Sequence, residues 1–429
     1  MTPLPARAML VGMTIPASPI APQVSLDTIE RRLSETVWPS LESVCFHTFE
    51  RTLNAFTRYK VGEEHFSSVT GYGHDDLGRQ VTDAVFADAL QAEAALVRLQ
   101  FASGTHALSV ALNGCLHHGH VMLSLTGHPY DTLEEVIGLR GDNPQSLVAK
   151  GVIYKETDCF ATGEFSTHTV IKEKQLLASA QVLYIQRSRG YSLRPAMTID
   201  QMERLIQAVR QVNPTAVILV DNCYGEFTDY NEPTAIGADL MAGSLIKNPG
   251  GGIVPAGGYI AGRSDLVEAC ASVLTCPGVG SKGGYTFELT RTLLQGLFLA
   301  PSTVKEALKG MSLAAAVFGE MNFEVTPAWQ DTRSDVIQVI HLKTAKNLVQ
   351  FCQQLQQVSP INSGVMPIPA VVPGYGDEVV MAGGTFIDGA TLELSADGPV
   401  RPPYTVFLQG GLTYAHTRLA VQKLMDVVQ

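Results

Sequence analysis

The sequence predicts an α/β protein whose larger part is a mostly parallel sheet with helices on both faces, followed by a smaller α+β domain. Short apolar runs alternate with helical segments between residues 96 and 262, which is typical of strands joined by crossover helices. Residues 217–220 are apolar and mostly β-branched, as expected for a strand that is buried on both faces. From about Met321 onwards the strands are shorter and the alternation stops, which indicates a separate domain.

Helices are predicted where apolar residues recur every three or four positions, first over residues 25–56, for which Ser25 is a suitable N-cap. Residues 1–23 are rich in proline and alanine, which predicts an extended arm. Further helices are predicted at 79–90, 199–212, 264–273, 285–299, 301–319, 345–358 and 414–428. Strands are predicted at 96–100, 120–125, 152–154, 169–171, 180–185, 217–220, 256–262, 335–342, 379–381, 385–387 and 392–394. We therefore divide the chain into an N-terminal arm and helix (1–56), a large domain (57–300), and a linking helix with a small C-terminal domain (301–429).

Composition and charge argue against several classes of function. The 429 residues carry a net charge of −11, which argues against nucleic acid or an anionic membrane surface as the main partner. No run approaches the ~20 apolar residues that a membrane-spanning helix requires. The seven cysteines are scattered, and no signal peptide is recognisable, so we expect reduced thiols and a cytoplasmic location. Only 17% of the residues are charged, which favours a homo-oligomer that buries much of each subunit's surface.

Asp221 and Lys247 are the residues with the clearest chemical meaning. Asp221 ends a predicted buried strand, and Lys247 follows the next apolar segment, just before Asn248, Pro249 and three glycines. Loops beyond the carboxyl ends of parallel strands hold the ligand in such sheets. Pyridoxal 5′-phosphate (PLP) needs both groups, because an amine bonds to its aldehyde carbon and a carboxylate keeps its ring nitrogen protonated. The alternatives are an Asp that caps a helix or binds a metal or ribose, and a lysine that extends to the surface.

The segment Ser103-Gly104-Thr105 lies between a predicted strand and a helix start. Free N–H groups at a helix N-terminus attract anions, and the two hydroxyls add donors, so a phosphate is a suitable ligand. An ordinary Ser N-cap is the alternative. Tyr130 follows the next strand and is suited to lie over a flat cofactor ring or to be a half-buried core residue.

Three other patterns are weaker indications of function. Residues 278–283 match G-x-G-x-x-G, but neither a convincing strand before them nor a ribose-binding acid after them is predicted. Four potential metal ligands span a helix end and a strand start without converging geometry: Cys115, His117, His118 and His120. Cys223 has no recognisable base beside it, as a thiol nucleophile would need. The sequence therefore predicts no metal site.

Six motifs complete the functional pattern. They are TGYGHDDLGR at 70–79, FASGTHA at 101–107, GHPYDTL at 127–133, VDNCYGEF at 220–227, SLIKNPGGG at 244–252 and DGPVRPPY at 397–404. Together they resemble the PLP-dependent fold-type-I enzymes, and within them the methionine gamma-lyase-like group often called aluminium-resistance proteins, relatives of the cystathionine lyases. The resemblance runs from about Ser25 to the C-terminus and implies a transferase-like fold of type I.

The resemblance implies a role for each matching residue. Lys247 would carry the cofactor, Asp221 would pair with its ring nitrogen, and Tyr130 would stack on its ring. The phosphate would be held by Ser103, Gly104, Thr105 and Ser244. Tyr72 would reach a neighbouring subunit's phosphate or the substrate.

Two arginine roles depart from the family pattern or stay open. The relatives usually have an arginine two positions after the equivalent of Tyr72, where this chain has His74; Arg79 is a possible substitute. Arg401 is the first choice for binding the substrate carboxylate, because the small domain supplies that residue in the relatives. Arg189 is the second choice.

The implied function is a carbon–sulfur lyase that acts on a sulfur-containing amino acid by β- or γ-elimination and gives a keto acid, ammonia and a thiol. Lys247 would take the α-proton, with its pKa lowered by burial and by a nearby cation. The alternatives are another PLP reaction, such as γ-replacement or aldol cleavage, and a PLP-binding protein without turnover. We expect at least a homodimer, with a dimer of dimers favoured and the active sites at the subunit boundary.

Overall fold

The computed structural model describes residues 25–161, 163–372 and 376–427. The arm expected over residues 1–23 lies outside the described residues. The helices are α1 (Leu26–Thr36), α2 (Trp38–Arg58), α3 (Leu77–Ala89), α4 (Gly104–Cys115), α5 (Asp131–Ile137), α6 (Thr167–Lys172), α7 (Lys174–Ser179), α8 (Ile199–Val212), α9 (Ser264–Leu274), α10 (Thr290–Glu320), α11 (Ala345–Gln357) and α12 (Tyr414–Met425).

A seven-stranded sheet forms the large domain, in the order β1-β7-β6-β5-β4-β2-β3. Its strands are β1 (Ala94–Arg98), β2 (Val121–Ser124), β3 (Ile153–Glu156), β4 (Val182–Gln186), β5 (Val217–Asp221), β6 (Leu240–Ser244) and β7 (Gly258–Gly262). The pairings from β3 to β6 are parallel, and β7 runs antiparallel to both of its neighbours. The carboxyl ends of β2, β4, β5 and β6 therefore meet at one edge of the sheet.

Alternate residues of each strand face opposite sides of this sheet, and each side has its own apolar core. Leu219 of β5 packs in the core that holds α4 and α9, whereas Ile218 and Val220 pack in the core that holds α3, α8 and the start of α10. This explains why the run at 217–220 is apolar at every position, and it confirms the prediction of helices on both faces.

A six-stranded antiparallel sheet forms the small domain, in the order β10-β11-β12-β13-β9-β8. Its strands are β8 (Val325–Thr326), β9 (Ile337–His341), β10 (Ala370–Val371), β11 (Glu378–Ala382), β12 (Ser395–Pro399) and β13 (Thr405–Gln409). The core on this sheet includes α11, α12, the second half of α10, and Ile29 and Leu33 of α1.

The two helices predicted on either side of residue 300 form one helix, α10, with Pro301 inside it. An interior proline costs a helix ~3 kcal/mol, but here Pro301 and its neighbours Ala300 and Val304 are buried. Burial along the helix outweighs this local cost. As a result, α10 contributes Leu294 to the large-domain core and Phe318 to the small-domain core.

Three predicted strands are absent from the described residues, each for a local reason. Residues 169–171 lie in α6, which begins after Ser166 accepts a hydrogen bond from the Thr169 N–H at 3.2 Å. Residues 385–387 are irregular, because the Glu393 carboxylate accepts hydrogen bonds from the backbone of Phe386 (2.8 Å) and Ile387 (2.9 Å). Residues 392–394 precede β12 instead of forming a strand. No helix in the described ranges has both the length and the apolar character needed to cross a membrane.

Replacing Phe351 tests the packing of the small-domain core. The ring is fully buried, with its centroid 5.7 Å from that of Phe318. We expect Phe351→Ala to lower the free energy of unfolding by about 3–5 kcal/mol, because it removes buried surface and leaves a cavity. Phe386→Ala is the matched control, since that side chain is 69% exposed, and it should cost less than about 0.5 kcal/mol. Urea unfolding followed by circular dichroism measures both, and equal losses would contradict the assignment of this core.

Candidate active site

A cavity of about 440 Å³ lies at the edge of the sheet where the parallel strands end. Loops that follow β4, β5 and β6 line it together with the start of α4, and Asp388 and Gly389 of the small domain complete its wall. Seven residues proposed from the sequence line this cavity: Ser103, Gly104, Thr105, Tyr130, Asp221, Ser244 and Lys247.

Lys247 is fixed by the tight turn that follows it. The Asn248 side-chain amide donates to the backbone carbonyls of Tyr224 and Glu226, at 2.9 Å each, and so ties this turn to the loop after β5. A Cβ on Gly250 would lie 1.8 Å from the Leu245 carbonyl oxygen, so the turn requires glycine there. Lys247 Nζ lies 3.4 Å from the centroid of the Tyr224 ring, a cation–π contact that stabilises an ammonium group.

Opposing influences act on the pKa of Lys247. Burial lowers the pKa of this amine, but the nearby Tyr224 and Asp221 side chains outweigh burial and raise it above its ordinary value. The prediction of a lowered pKa concerned the lysine beside a cation in the loaded site and stays a prediction. In the surroundings that the protein groups alone provide, the ammonium form of Lys247 is favoured.

Asp221 is buried at the end of β5 and accepts two hydrogen bonds. The Cys223 N–H donates to Oδ1 at 3.1 Å, and the Tyr184 hydroxyl donates to Oδ2 at 3.3 Å. Burial raises the pKa of Asp221, while the Cys223 N–H and the Lys247 ammonium act in the opposite direction. A buried carboxylate of this kind is stabilised by a cationic partner, such as a protonated ring nitrogen.

The start of α4, which also lines the cavity, is rich in hydrogen-bond donors. Ser103 caps α4 by accepting a bond from the His106 N–H at 3.1 Å, and the Thr105 and Thr132 hydroxyls share a bond of 2.8 Å. A Cβ on Gly104 would lie only 3.1 Å from Ser244 Cβ, so glycine leaves space between the helix and the strand. The backbone N–H groups of α4 and these hydroxyls together suit a phosphate.

These groups fit PLP in number and chemistry. One lysine amine, one buried carboxylate and one donor-rich helix start surround a cavity of suitable size for a phosphorylated pyridine. The Methionine gamma-lyase family pattern matches residues 27–429.

The chain belongs to the methionine gamma-lyase family.

Individual relatives agree with this assignment to the methionine gamma-lyase family. The protein YnbB of Bacillus subtilis (strain 168) is 44% identical over 377 residues, which cover 88% of this chain and 89% of the relative. A structure from Listeria monocytogenes, named as a candidate cystathionine beta-lyase involved in aluminum resistance, has a TM-score of 0.91 and 42% identity over 94% of this chain and 99% of that one. A carbon–sulfur lyase involved in aluminum resistance from Clostridium novyi NT has a TM-score of 0.89 and 41% identity over 94% of each chain.

Membership of the methionine gamma-lyase family confirms the fold-type-I architecture and PLP as the cofactor. The enzymes of this family are PLP-dependent carbon–sulfur lyases. The role of each residue in the cavity stays a prediction.

Tyr130 forms part of the cavity wall next to the loop after β4. Its N–H donates to Gln186 Oε1 at 2.8 Å, and its ring centroid lies 6.1 Å from that of Tyr191. Gly190 has a φ of +57°, and a Cβ there would lie 2.7 Å from Tyr130 Cδ2. Because residue 190 is a glycine, the Tyr130 ring can occupy the space directly beside it.

Tyr72 and Arg79 lie outside the residues that line the cavity in this chain. Tyr72 is 84% exposed, and its ring stacks on that of His74 at 5.8 Å. The buried Arg79 guanidinium donates to the backbone carbonyls of Gly73, Gly284 (3.0 Å) and Lys282 (2.7 Å). Arg79 therefore holds two loops together instead of presenting its donors to a phosphate. The role of Tyr72 in a neighbouring subunit stays a prediction.

The two candidate carboxylate-binding arginines have opposite surroundings. Arg401, the first choice, has a side chain that is 57% exposed and forms an ion pair with Asp377. Arg189, the second choice, is 1% exposed and lies between Ser188 and Gly190, which both line the cavity. Within the described residues, its Nε and Nη1 atoms have no hydrogen-bond partner.

Arg333 lies buried near Arg189 and was not among the residues predicted from the sequence. Its Nε and Nη1 atoms are also without a hydrogen-bond partner in the part of the chain that the structure describes. Burial and the charge of Arg189 together lower the pKa of Arg333 to about 10. Asp335 acts against this effect on both arginines, and it already accepts a hydrogen bond from the Ser188 hydroxyl at 2.8 Å. The polar run before the predicted strand at 335–342 is the sequence feature from which Arg333 could have been identified.

The weaker patterns have structural roles. The His117 N–H donates to His120 Nδ1 at 3.2 Å, and the two rings pack 5.2 Å apart. Across the described ranges, no group of three or more His, Cys, Asp or Glu side chains is placed to hold a metal ion. The glycines at 278–283 form a short turn after α9.

The contact between Gly190 and Tyr130 can be tested with a pair of glycine variants. Gly190→Ala and Gly141→Ala both place alanine at a positive φ, but a Cβ on Gly141 has no neighbour within 4 Å. Both should lose about 1–2 kcal/mol of stability from the left-handed backbone. Only Gly190→Ala should weaken PLP binding, by about 2- to 10-fold, if the displaced Tyr130 ring loses a stacking contact of ~0.5–1.5 kcal/mol. Titration of the apoprotein with PLP, followed by absorbance, measures the affinity for PLP. An equal loss of affinity in both variants would show that the contact between residue 190 and Tyr130 does not affect PLP binding.

Proposed function

We propose that this chain is a PLP-dependent carbon–sulfur lyase that cleaves a sulfur-containing amino acid by β- or γ-elimination, giving a keto acid, ammonia and a thiol. The observation that carries the proposal is the convergence of Lys247 and Asp221 in one cavity, together with the donor-rich start of α4. The carbon–sulfur lyase named among the similar structures supports the same reaction class.

The bound cofactor would supply an electron sink for the charge that develops at the substrate's Cα. Asp221 would hold the positive charge at the ring nitrogen, since burial makes that carboxylate depend on a cationic partner. Lys247 would anchor the cofactor and take the α-proton at its Nζ atom. Ser103, Thr105 and Ser244 would bind the phosphate, and Tyr130 would lie against the ring.

Arg189 is our proposed ligand for the substrate carboxylate, in place of Arg401. Buried charges are costly unless they are paired, and Arg189 has unsatisfied donors. Its neighbours in the chain, Ser188 and Gly190, line the cavity, and a second buried arginine, Arg333, lies close to it. A carboxylate would satisfy these donors with charge-assisted hydrogen bonds. Arg401, by contrast, is exposed and already paired with Asp377.

We also propose that the protein works as a homo-oligomer in which Tyr72 serves the active site of a neighbouring subunit. Tyr72 and Phe46 are large side chains that are 84% and 71% exposed in the single chain. Exposed aromatic side chains are common at protein interfaces, where they lose contact with water.

The reaction is tested by replacing the lysine. We expect Lys247→Ala to lose the absorbance that PLP gains on bonding to a protein amine, and to release no keto acid or ammonia. Lys346→Ala, which changes an exposed lysine on α11, is the matched control and should keep both. Assays with methionine, cystathionine, cysteine and threonine, followed by keto acid or aldehyde detection, separate elimination from aldol cleavage. Unchanged turnover by Lys247→Ala would refute the proposed role.

The carboxylate ligand is tested by comparing the two arginines. Arg189→Met should raise KM by roughly 30-fold or more, since losing a buried charged contact costs at least about 2 kcal/mol. Arg401→Met should change KM less than about fivefold, because an exposed ion pair contributes at most ~1 kcal/mol. Steady-state kinetics with one thioether amino acid measures both, and PLP absorbance checks that each variant is loaded. A large effect from Arg401→Met alone would restore Arg401 as the ligand.

A further inference from the structure

A second carboxylate, Asp397, approaches the active site from the small domain. Asp397 lies on β12, directly opposite Phe407 of β13 in the antiparallel register. Asp397 begins the motif at 397–404, and no role is predicted for it from the sequence. It has no part in the mechanism proposed above.

Aromatic side chains connect this strand pair to the cavity. The Phe407 ring lies 5.0 Å from that of Tyr191, which in turn lies 6.1 Å from Tyr130. The centroid of the Tyr224 ring lies 3.4 Å from Lys247 Nζ. Tyr224 also packs against the small apolar cluster that contains Phe407. The small-domain sheet therefore touches the residues around the catalytic lysine.

Neighbouring polar and charged groups favour the charged form of Asp397, whereas burial opposes it. Gln409 Nε2 donates to Oδ2 at 3.3 Å, and the Tyr191 hydroxyl donates to the same carboxylate. Burial raises the pKa of Asp397 to about 6, while Tyr191, the Lys247 ammonium and Gln409 act against burial. The hydroxyl of Tyr224 also lies within electrostatic reach of this carboxylate. The Cys352 thiol is influenced by the same charge but packs in the core on the other face of the small-domain sheet.

We propose that Asp397 is a positioning residue for Lys247. When the substrate's α C–H bond breaks, the proton passes to Lys247 Nζ, and the Asp397 carboxylate attracts the ammonium that forms without taking the proton itself. Asp221 cannot do this while its carboxylate is paired with the cofactor ring. This inference rests on the proposed role of Lys247 as the base, and it makes the small domain part of the proton-transfer step.

The proposal predicts a specific pH dependence. The pKa of Asp397 is raised above its ordinary value, so its charge is present above about pH 6 and is lost as the pH falls through that value. Proton transfer should therefore decline on the acidic side near pH 6. Lys247 must also lose a proton to act as a base, which likewise lowers the rate on the acidic side, but this requirement is common to the wild-type protein and the Asp397 variant.

The experiment measures α-proton exchange, which does not require a carbon–sulfur bond to break. The PLP-loaded protein is incubated in D₂O with L-alanine or L-methionine, and loss of the α-proton signal is followed by NMR from pH 5 to 9. We expect Asp397→Asn to slow exchange by about 10- to 100-fold, the range expected when a reacting group is misplaced. It should keep the PLP absorbance and lose the acidic limb near pH 6.

Two further variants separate positioning from a merely structural role. Tyr191→Phe removes the hydroxyl that favours the charged carboxylate, so it should move the acidic limb to higher pH and leave the ring packing intact. Glu378→Gln removes an exposed carboxylate from the neighbouring strand β11 and should leave the rate and the pH profile unchanged.

An unchanged exchange rate and acidic limb in Asp397→Asn would overturn the proposal. If Asp397→Asn fails to fold or to bind PLP, an acidic limb that does not move in Tyr191→Phe would overturn it equally. Exchange without keto acid release from any thioether would refute the lyase reaction but leave the role of Asp397 supported. The two proposals can therefore fail separately.

Discussion

The parallel pairing of β5 with β6 is the constraint on which the rest of the site depends. Asp221 at the end of β5 pairs in register with Ala242, two residues before the end of β6. Both strands deliver their following residues to the same edge of the sheet, so an acid and a lysine from separate segments meet in one cavity. The apolar residues on both faces of β5 fix this register, because a shift of one residue would exchange the two cores.

The small domain completes the wall of the cavity at the edge of the large-domain sheet. The long helix α10 belongs to both cores, so the antiparallel sheet has a fixed place beside the cavity. The loop after β4, which belongs to the large domain, contacts the small domain twice: Ser188 donates to Asp335 just before β9, and Tyr191 packs on Phe407 of β13. Our proposals for substrate recognition and proton transfer therefore both concern residues at the boundary between the two apolar cores.

Much of the fold and the centre of the site could be predicted from the sequence. Asp221 and Lys247 follow apolar strands in a repeating pattern, and the rule for parallel sheets brings such residues together without knowledge of side-chain contacts. Arg333 and Asp397 could not be found in this way. Arg333 precedes its strand, and the position of Asp397 depends on antiparallel register and domain packing, which local periodicity does not encode.

Arg79 shows a second limit of prediction from the sequence. Its sequence position next to the Tyr72 loop suggested a phosphate ligand, whereas its partners are carbonyls of residues 282 and 284, about two hundred positions away. Pro301 shows the same limit for a helix boundary, because burial of α10 outweighs a local preference that a sequence pattern would normally obey.

The buried pair Arg189 and Arg333 has a thermodynamic consequence. Each guanidinium group keeps two buried nitrogens without a hydrogen-bond partner among the described residues, and the charge of Arg189 opposes that of Arg333 in a region of low dielectric constant. An anion that binds there would relieve this repulsion in the folded state and not in the unfolded chain. Amino-acid ligands would then act as stabilisers as well as reactants, and the heat resistance of the enzyme would follow the supply of its own substrate.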